Sequence, residues 1–117
     1  MTFDRHDVVV VPFPFTDRNE EKRRPALVLS DLEGFNRMAA HYVLAMITSA
    51  RHSSWPLDIP IRDLEAAGLS SPCVVRMKLF TLPEELILRR AGNLATEDTE
   101  SVEKALSLLW GRHYPSS

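Results

Sequence analysis

The fold can be argued from one stretch of the sequence, Lys22-Arg23-Arg24-Pro25-Ala26-Leu27-Val28-Leu29-Ser30. In it, a cluster of positive charge runs directly into apolar and β-branched residues, which predicts a buried strand over residues 25–30. Pro25 cannot donate a hydrogen bond to a neighbouring strand, so it belongs at the first residue of that strand, and it restricts Arg24 to an extended conformation. We therefore expect Arg24 at the mouth of a rigid sheet, with its guanidinium group pointing out of a loop, which suits a residue that binds phosphate.

Short strand patterns continue on both sides of this stretch. Residues 7–15 contain four consecutive valines followed by two prolines, which indicates a strand covered on both faces that ends, or reaches a sheet edge, at the prolines. Further strands are predicted over residues 41–49, 55–60, 73–82 and 86–89. Arg76 and Lys78 alternate with apolar residues in one of these strands, so we expect them side by side on its exposed face.

Helical spacing is confined to two segments. A short helix is predicted over residues 61–67, ended by Gly68, and residues 31–37 and 92–96 indicate a turn-rich connection and a linker. A longer helix follows, with Thr96 or Asp98 as its N-cap and Gly111 as its stop. Its apolar positions are Val102, Ala105, Leu106, Leu109 and Trp110. Short strands with one terminal helix predict a mainly β fold, a small and strongly curved antiparallel sheet or barrel whose open side this helix covers.

Length and composition set the class of the protein. A chain of 117 residues, 44% hydrophobic and 26% charged, is predicted to form one globular domain over residues 1–117. Its net charge of −2 means that any basic surface is local. The single cysteine, Cys73, cannot form an internal disulfide and lies in an apolar run, which favours a buried inert thiol and a reducing compartment. No apolar run reaches the ~20 residues that span a membrane, and the N-terminus lacks the apolar core of a signal peptide, so we expect a cytoplasmic protein.

The candidate chemistry depends on cations and hydroxyls at strand ends. The four histidines lack ligand spacing and the cysteine lacks a partner, so no metal site is expected, and there is no signature of a serine or cysteine triad. The remaining residues are Arg23, Arg24, Thr48, Ser49, Arg51, Arg76 and Lys78. They suit an anionic substrate and phosphoryl transfer without metal, with arginine stabilising a phosphorane and threonine donating to a phosphate oxygen. The hydroxyls of Thr48 and Ser49 can equally cap the turn that follows them.

Four stretches, 7–17, 22–30, 46–49 and 74–82, resemble the MazF/PemK (Kid) family of toxins of type II toxin–antitoxin systems, in family order and over nearly the whole chain. The resemblance implies a homodimer of SH3-like (CcdB/PemK-type) barrels that acts as a sequence-specific, metal-independent endoribonuclease without a cofactor. Members cut single-stranded mRNA to leave a 2′,3′-cyclic phosphate and a 5′-hydroxyl, and a cognate antitoxin inhibits them. The family's catalytic residues match Arg24, Thr48 and Arg76.

The chain departs from the family at two points. His6-Asp7 replaces a Gly-Asp pair, and no aspartate follows Arg76, where one branch of the family has a proposed base. Glu20, Glu21 or His52 could replace that carboxylate as the base. We expect RNA contacts from Thr16, Arg18, Glu20, Lys22, Arg23, Ser49, Arg51 and Lys78, with base selection in the loop over residues 16–23. Phe15 and Trp55 could stack on bases, although Phe15 could equally be core and Trp55 could pack against a partner.

Two other functions remain open at this point. One is a CcdB-like, non-enzymatic gyrase poison, whose activity would depend on the C-terminal helix and on the exposed end over residues 112–117. The other is an SH3-like interaction module without toxicity. An adjacent reading frame with a DNA-binding head and a disordered acidic tail would indicate a toxin of either kind, and its absence would favour the module.

Overall fold

The structure, a computed structural model, describes residues 2–13, 22–51 and 54–111. Its strands are β1 Asp7–Phe13, β2 Lys22–Val28, β3 His41–Ser49, β4 Ile59–Pro60, β5 Cys73–Pro83 and β6 Arg89–Asn93. Its helices are α1 Arg37–Ala39, α2 Leu64–Ala67 and α3 Thr96–Leu109, with a π-helical turn at Leu32–Asn36 and a 3₁₀ turn at Glu84–Leu86. The strands form one antiparallel sheet in the order β4-β5-β3-β2-β1-β6, and the predicted mainly β fold with a C-terminal helix is confirmed.

The sheet has a hydrophobic core on each face, which explains the unbroken run of valines in β1. Val8 packs with Leu27 and with Val102 of α3, and we call this side the inner face. Val9 and Val11 pack with Ala26 and other residues on the opposite side, the outer face. Because successive side chains of a strand point to opposite faces, a strand that is covered on both sides needs apolar residues at every position.

The start of β2 differs from the prediction. The strand begins at Lys22 rather than Pro25, so Arg24 lies within it, opposite Val11, and not in a loop. Pro25 pairs with Val10 of β1, whereas pairing with β3 begins only at Ala26. Pro25 therefore has a paired strand on one side only, and an interior proline is tolerated there as it is at a sheet edge.

Other boundaries also shift. Of the strand predicted over residues 86–89, only Arg89 lies in a strand: Leu86 ends a 3₁₀ turn, and β6 runs from Arg89 through Gly92 into the predicted linker. A Cβ on Gly92 would lie 2.4 Å from the carbonyl oxygen of Ala66, so this glycine allows α2 to approach β6 closely. Residues 31–37 are largely helical, with Asp31 accepting a hydrogen bond from the Gly34 amide. The predicted helix stop at Gly68 (φ 74°) is confirmed, although α2 begins at Leu64 rather than at residue 61. Of the edge strand predicted over residues 55–60, only Ile59–Pro60 forms, and it lies at the sheet edge.

The N-terminal end of α3 has a different cap from the one predicted. Ala95 precedes the helix without a side-chain cap, so neither Thr96 nor Asp98 is the N-cap. Asp98 is 1% exposed, and its carboxylate instead accepts hydrogen bonds from the backbone amides of Arg62 and Asp63, at 3.0 Å each. The side chain predicted to cap its own helix thus joins α3 to the segment that leads into α2.

The apolar face of α3 packs on the inner face as predicted, but only over part of its length. Val102, Ala105 and Leu106 are buried in the inner core. Leu109 and Trp110 are exposed, Trp110 by 63%, so the expectation that they belong to the covered face is wrong. Gly111 follows them in a left-handed conformation (φ 79°).

His6 adopts a left-handed conformation (φ 74°), which glycine reaches without strain. Its Nε2 lies 3.0 Å from a carboxylate oxygen of Glu103 in α3, and Arg5 forms an ion pair with the same carboxylate. These contacts hold in place a turn in which the resemblance implied a glycine. Over the part of the chain that the structure describes, no helix is long and apolar enough to cross a membrane.

Candidate functional site

The strand register brings Arg24 and Thr48 together on the outer face. Ala26 of β2 lies opposite Met46 of β3, and extending this antiparallel register by two residues places Arg24 opposite Thr48. Arg76 of β5 also lies opposite Met46, on its other side. Residues directly opposite each other in an antiparallel pair share a face, so the three predicted catalytic residues belong to one surface at the end of the sheet. We call this surface, Arg24 with Thr48 and Arg76, the outer-face cluster.

Arg24 is a cation with a hydrogen-bond donor that has no partner among the described residues. Its guanidinium carbon lies 5.7 Å from the ring centroid of Phe13, within the range of a cation–π contact. Its Nε is buried and has no hydrogen-bond partner among the residues described, and none of the ion pairs found between them includes Arg24. An unpaired buried donor is costly, so a ligand that accepts from Nε would be favoured at this position.

Arg76 is buried, contrary to the expectation that it lies on an exposed face. Its Nε and one terminal nitrogen donate to the two carboxylate oxygens of Asp58, at 3.1 and 2.9 Å, and the side chains are only 9% and 16% exposed. Trp55 N–H donates to the same carboxylate at 3.0 Å. The alternation of β5 was predicted correctly, but the segment before β4 crosses its outward side and covers Arg76.

This bidentate contact fixes the charge of both partners. Burial alone would raise the pKa of Asp58, but hydrogen bonds from Arg76 and from the Trp55 amide outweigh it and lower that pKa below its ordinary value. The hydrogen bond to Asp58 likewise raises the pKa of Arg76. The pair is therefore an ionised carboxylate that holds a guanidinium in one orientation. Arg76 thus has a carboxylate beside it, from 18 residues upstream, although none follows it closely in the sequence.

Lys78 is exposed as predicted, and its position depends on Trp55. The Lys78 Nζ lies 4.3 Å from the centroid of the Trp55 ring, which is 42% exposed. One face of the indole thus carries a cation, and base stacking by Trp55 stays a prediction.

A cavity of about 390 Å³ opens on the inner face at the same end of the sheet. Its lining includes Arg23 of β2, Ser49 of β3 and Arg89 of β6. Arg24 and Thr48 also border it, although the strand register places their Cβ atoms on the outer face. None of the described residues that line the cavity carries a carboxylate. The sequence reasoning did not single out Arg89; its signal was the Arg89-Arg90 pair, which the prediction placed at the end of a strand rather than at the start of one.

The remaining predicted RNA contacts fall in three groups. Lys22 and Arg51 are exposed at strand ends. Ser49 accepts a hydrogen bond from the Arg51 amide at 3.2 Å, so the capping alternative is confirmed for this hydroxyl. Several predicted residues lie outside the described part of the chain: Phe15, Thr16, Arg18, Glu20, Glu21 and His52.

Cys73 also lines the inner-face cavity. The side chain is partly exposed, so the expectation of a buried thiol is wrong. Desolvation nevertheless raises the pKa of the thiol, against the opposing effect of a hydrogen bond with Ser71, so the thiolate is disfavoured. No group of three or more histidine, cysteine, aspartate or glutamate side chains within residues 2–13, 22–51 and 54–111 could hold a metal ion.

Comparison with known proteins identifies close structural similarity. Residues 4–110 match the family described as PemK-like, MazF-like toxin of type II toxin–antitoxin systems. Similar solved structures include an endoribonuclease in complex with its cognate antitoxin from a mycobacterial species (17% identity, 97% of both chains, TM-score 0.74). Another is the MazE–MazF complex of Deinococcus radiodurans (21% identity, 97% and 100% of the two chains, TM-score 0.75). A third is the toxin MazF-mt6 of Mycobacterium tuberculosis (19% identity, 92% and 99%, TM-score 0.72). These confirm the predicted fold class, and no curated protein sequence is significantly similar to the chain.

Proposed function

The chain belongs to the PemK-like, MazF-like toxin family of type II toxin–antitoxin systems, and on this basis we propose that it is a sequence-specific endoribonuclease toxin that cuts single-stranded mRNA without a metal or cofactor. The observation that carries the proposal is the outer-face cluster, in which extension of the β2–β3 register places Arg24 opposite Thr48. Arg24 also keeps a buried Nε without a partner among the described residues. A phosphodiester placed there would accept from both side chains.

The reaction is a transesterification within the RNA. The 2′-oxygen forms a bond to phosphorus as its proton passes to a base, and the bond from phosphorus to the 5′-oxygen breaks as that oxygen takes up a proton. The products are a 2′,3′-cyclic phosphate and a 5′-hydroxyl. Arg24 donates to the phosphorane oxygens, whose charge rises in the transition state, and Thr48 donates to a phosphate oxygen or orients the 2′-hydroxyl. Arg76 adds fixed positive charge on the same face.

Asp58 is assigned a positioning role rather than that of the base. Its carboxylate is ionised, but both oxygens already accept hydrogen bonds from Arg76. Taking the 2′-proton would break the contact that orients Arg76. Glu20, Glu21 and His52 therefore stay the candidates for the base, as the sequence predicted.

The proposed partners follow from the same family. Solved relatives include complexes of MazF with MazE and of an endoribonuclease with its cognate antitoxin, and we propose that a cognate antitoxin neutralises this chain as well. We further propose a homodimer that acts in the cytoplasm as a single domain over residues 1–117. The predicted RNA contacts of Thr16, Arg18, Glu20, Lys22, Arg23, Ser49, Arg51 and Lys78 belong to this proposal.

The test is incubation of antitoxin-free protein with a long single-stranded RNA in EDTA, with mapping of the cut ends. We expect discrete cuts with cyclic-phosphate ends from the wild type. Arg24→Ala should slow cutting by about 10²–10³-fold, the usual cost of removing one transition-state donor. Arg24→Lys should restore little of this rate, because lysine keeps the charge and loses the planar fork.

Arg37→Ala is the matched control, since Arg37 is an exposed arginine whose ion pair with Glu33 lies on the surface of the helical segment before β3. It should cut at the wild-type rate. Circular dichroism of each variant shows whether it is folded. A folded wild type that leaves the RNA intact in EDTA would refute the proposal and favour the gyrase-type toxin or the binding module.

A further inference from the structure

The inner-face cavity borders the proposed catalytic residues Arg24 and Thr48, and the rest of its lining has the composition of a binding site. Besides Arg24, it carries two cations, Arg23 and Arg89, and none of the ion pairs found among the described residues includes either of them. Pro25, Ile47 and Leu69 supply apolar wall. Its volume of about 390 Å³ falls within the ~300–1,000 Å³ usual for small-molecule sites.

We propose that this cavity binds one nucleotide of the RNA strand, with a phosphate held by Arg23 and Arg89 and the base against the apolar wall. The proposal rests on the proposed function, because it takes RNA as the substrate. Arg23 lies opposite Pro12 of β1, and Arg89 lies opposite Val10 of the same strand. The two arginines are therefore on strands that flank β1 and are offset by two residues along it, which puts their Cα atoms about 12 Å apart. Both long side chains can converge on one phosphate.

The apolar wall and the hydroxyls favour a nucleotide over a small anion. A free phosphate needs only the arginines, whereas a base needs an apolar surface for its π-face and polar groups for its edge. Ser70 and Ser71, in the loop after α2, provide hydroxyls at the cavity wall. This would move part of the base selection from the loop over residues 16–23 to the loop after α2.

The cavity is also continuous with the cleavage surface. Arg24 and Thr48 border it while their Cβ atoms lie on the outer face. A strand with its scissile phosphate at Arg24 can therefore pass around the end of the sheet and place a neighbouring nucleotide in the cavity. Consecutive residues of β2, Arg23 and Arg24, would then contact different nucleotides of one RNA.

The first test measures binding separately from cutting. The probe is a short, fluorescent, mixed-sequence 2′-O-methyl oligoribonucleotide, which cannot be cut because it lacks a free 2′-hydroxyl. We expect Arg89→Gln to weaken binding about tenfold and to reduce the slope of log K against log[salt] by about 0.7, the value for one lost phosphate contact on a single strand. Arg90→Gln removes the same charge from the next residue, which lies beside Asp7 and does not line the cavity, so it should change binding less than about twofold.

The second test measures occupancy of the cavity. Cys73 is the chain's single cysteine and lines the cavity, so its alkylation rate by N-ethylmaleimide, followed by mass spectrometry, reports whether the wall is covered. Saturating oligoribonucleotide should slow alkylation in the wild type and in Arg24→Ala. At the same concentration it should protect Arg89→Gln far less.

The outcomes separate the two proposals. Three results would overturn the nucleotide site, even where RNA is cut. The Arg89 and Arg90 substitutions could weaken binding equally, or the wild type could fail to bind the oligoribonucleotide. The third is a Cys73 alkylation rate that does not change when the oligoribonucleotide is bound. Binding that depends on Arg89 and protects Cys73, in a protein that cuts no RNA, would instead refute the ribonuclease and keep the site.

Discussion

Replacing Asp98 should destabilise the protein more than any other acidic residue of α3, because its carboxylate is the acceptor for two backbone amides. Asp98→Ala leaves the amides of Arg62 and Asp63 without their acceptor, 3.0 Å from where each oxygen was. Each part-buried unsatisfied amide costs about 1–3 kcal/mol, so we expect a loss of about 3 kcal/mol in the free energy of unfolding. For a domain of this size that corresponds to a fall in Tm of about 12 °C. Asp98→Asn keeps one oxygen and should lose about half as much.

The assay is thermal and urea unfolding followed by circular dichroism. Glu100→Gln is the matched control, since it is the same kind of change at an exposed position of the same helix, and it should stay within about 0.5 kcal/mol of the wild type. If Asp98→Ala and Glu100→Gln unfold at the same urea concentration, the inference that Asp98 anchors α3 to the segment before α2 is wrong.

Three further changes test other parts of the structure. Gly92→Ala should cost about 2 kcal/mol, because the added Cβ would lie 2.4 Å from the Ala66 carbonyl oxygen, and an unchanged Tm would contradict that close approach. The pKa of Asp58 is lowered in the folded protein, so its contribution to stability is present above the ordinary carboxyl pKa and is lost as the pH falls through the lower value. Asp58→Asn should therefore flatten the acid side of the stability profile in urea titrations, and an equally steep acid loss in both proteins would argue against the ion pair with Arg76. Tyr42→Phe removes a hydroxyl that accepts from a buried amide and donates to a glutamate, and calorimetry should show a loss of about 1–3 kcal/mol; wild-type stability would mean that water satisfies the amide.

Sequence patterns predicted correctly those boundaries of strands and helices that depend on neighbouring residues in the chain. The bounds of β3 and the stop of α2 at Gly68 follow from apolar runs and from a glycine that takes a left-handed conformation, and both agree with the structure. The predicted start of β2 at Pro25 disagrees with the structure, in which the strand begins at Lys22. A proline is normally excluded from a strand interior, but it is tolerated here because only one side of the strand is paired at that residue. Which strands are neighbours cannot be read from a single strand.

The sequence indicated which residues belong to the candidate site better than it indicated how they contact one another. Arg24 and Thr48 were singled out from their types and positions, and extension of the β2–β3 register places them opposite each other, while their catalytic roles stay a prediction. The burial of Arg76 depends on Asp58, which is 18 residues away in sequence, and the role of Arg89 depends on the pairing of β6 with β1. Both are long-range contacts, and composition and periodicity carry no information on them.

The alternation of Arg23 and Arg24 along β2 has a consequence for protein engineering. A library that varies Arg23, Ser49 and Arg89 alters the surroundings of the inner-face cavity, while Arg24 and Thr48 keep their positions on the other face. Under the proposed function, sequence preference could then be redesigned by substitution alone, without rebuilding the proposed catalytic residues. Inserting or deleting a single residue within β2 has the opposite result, because it exchanges the two arginines between faces and disables both surfaces at once.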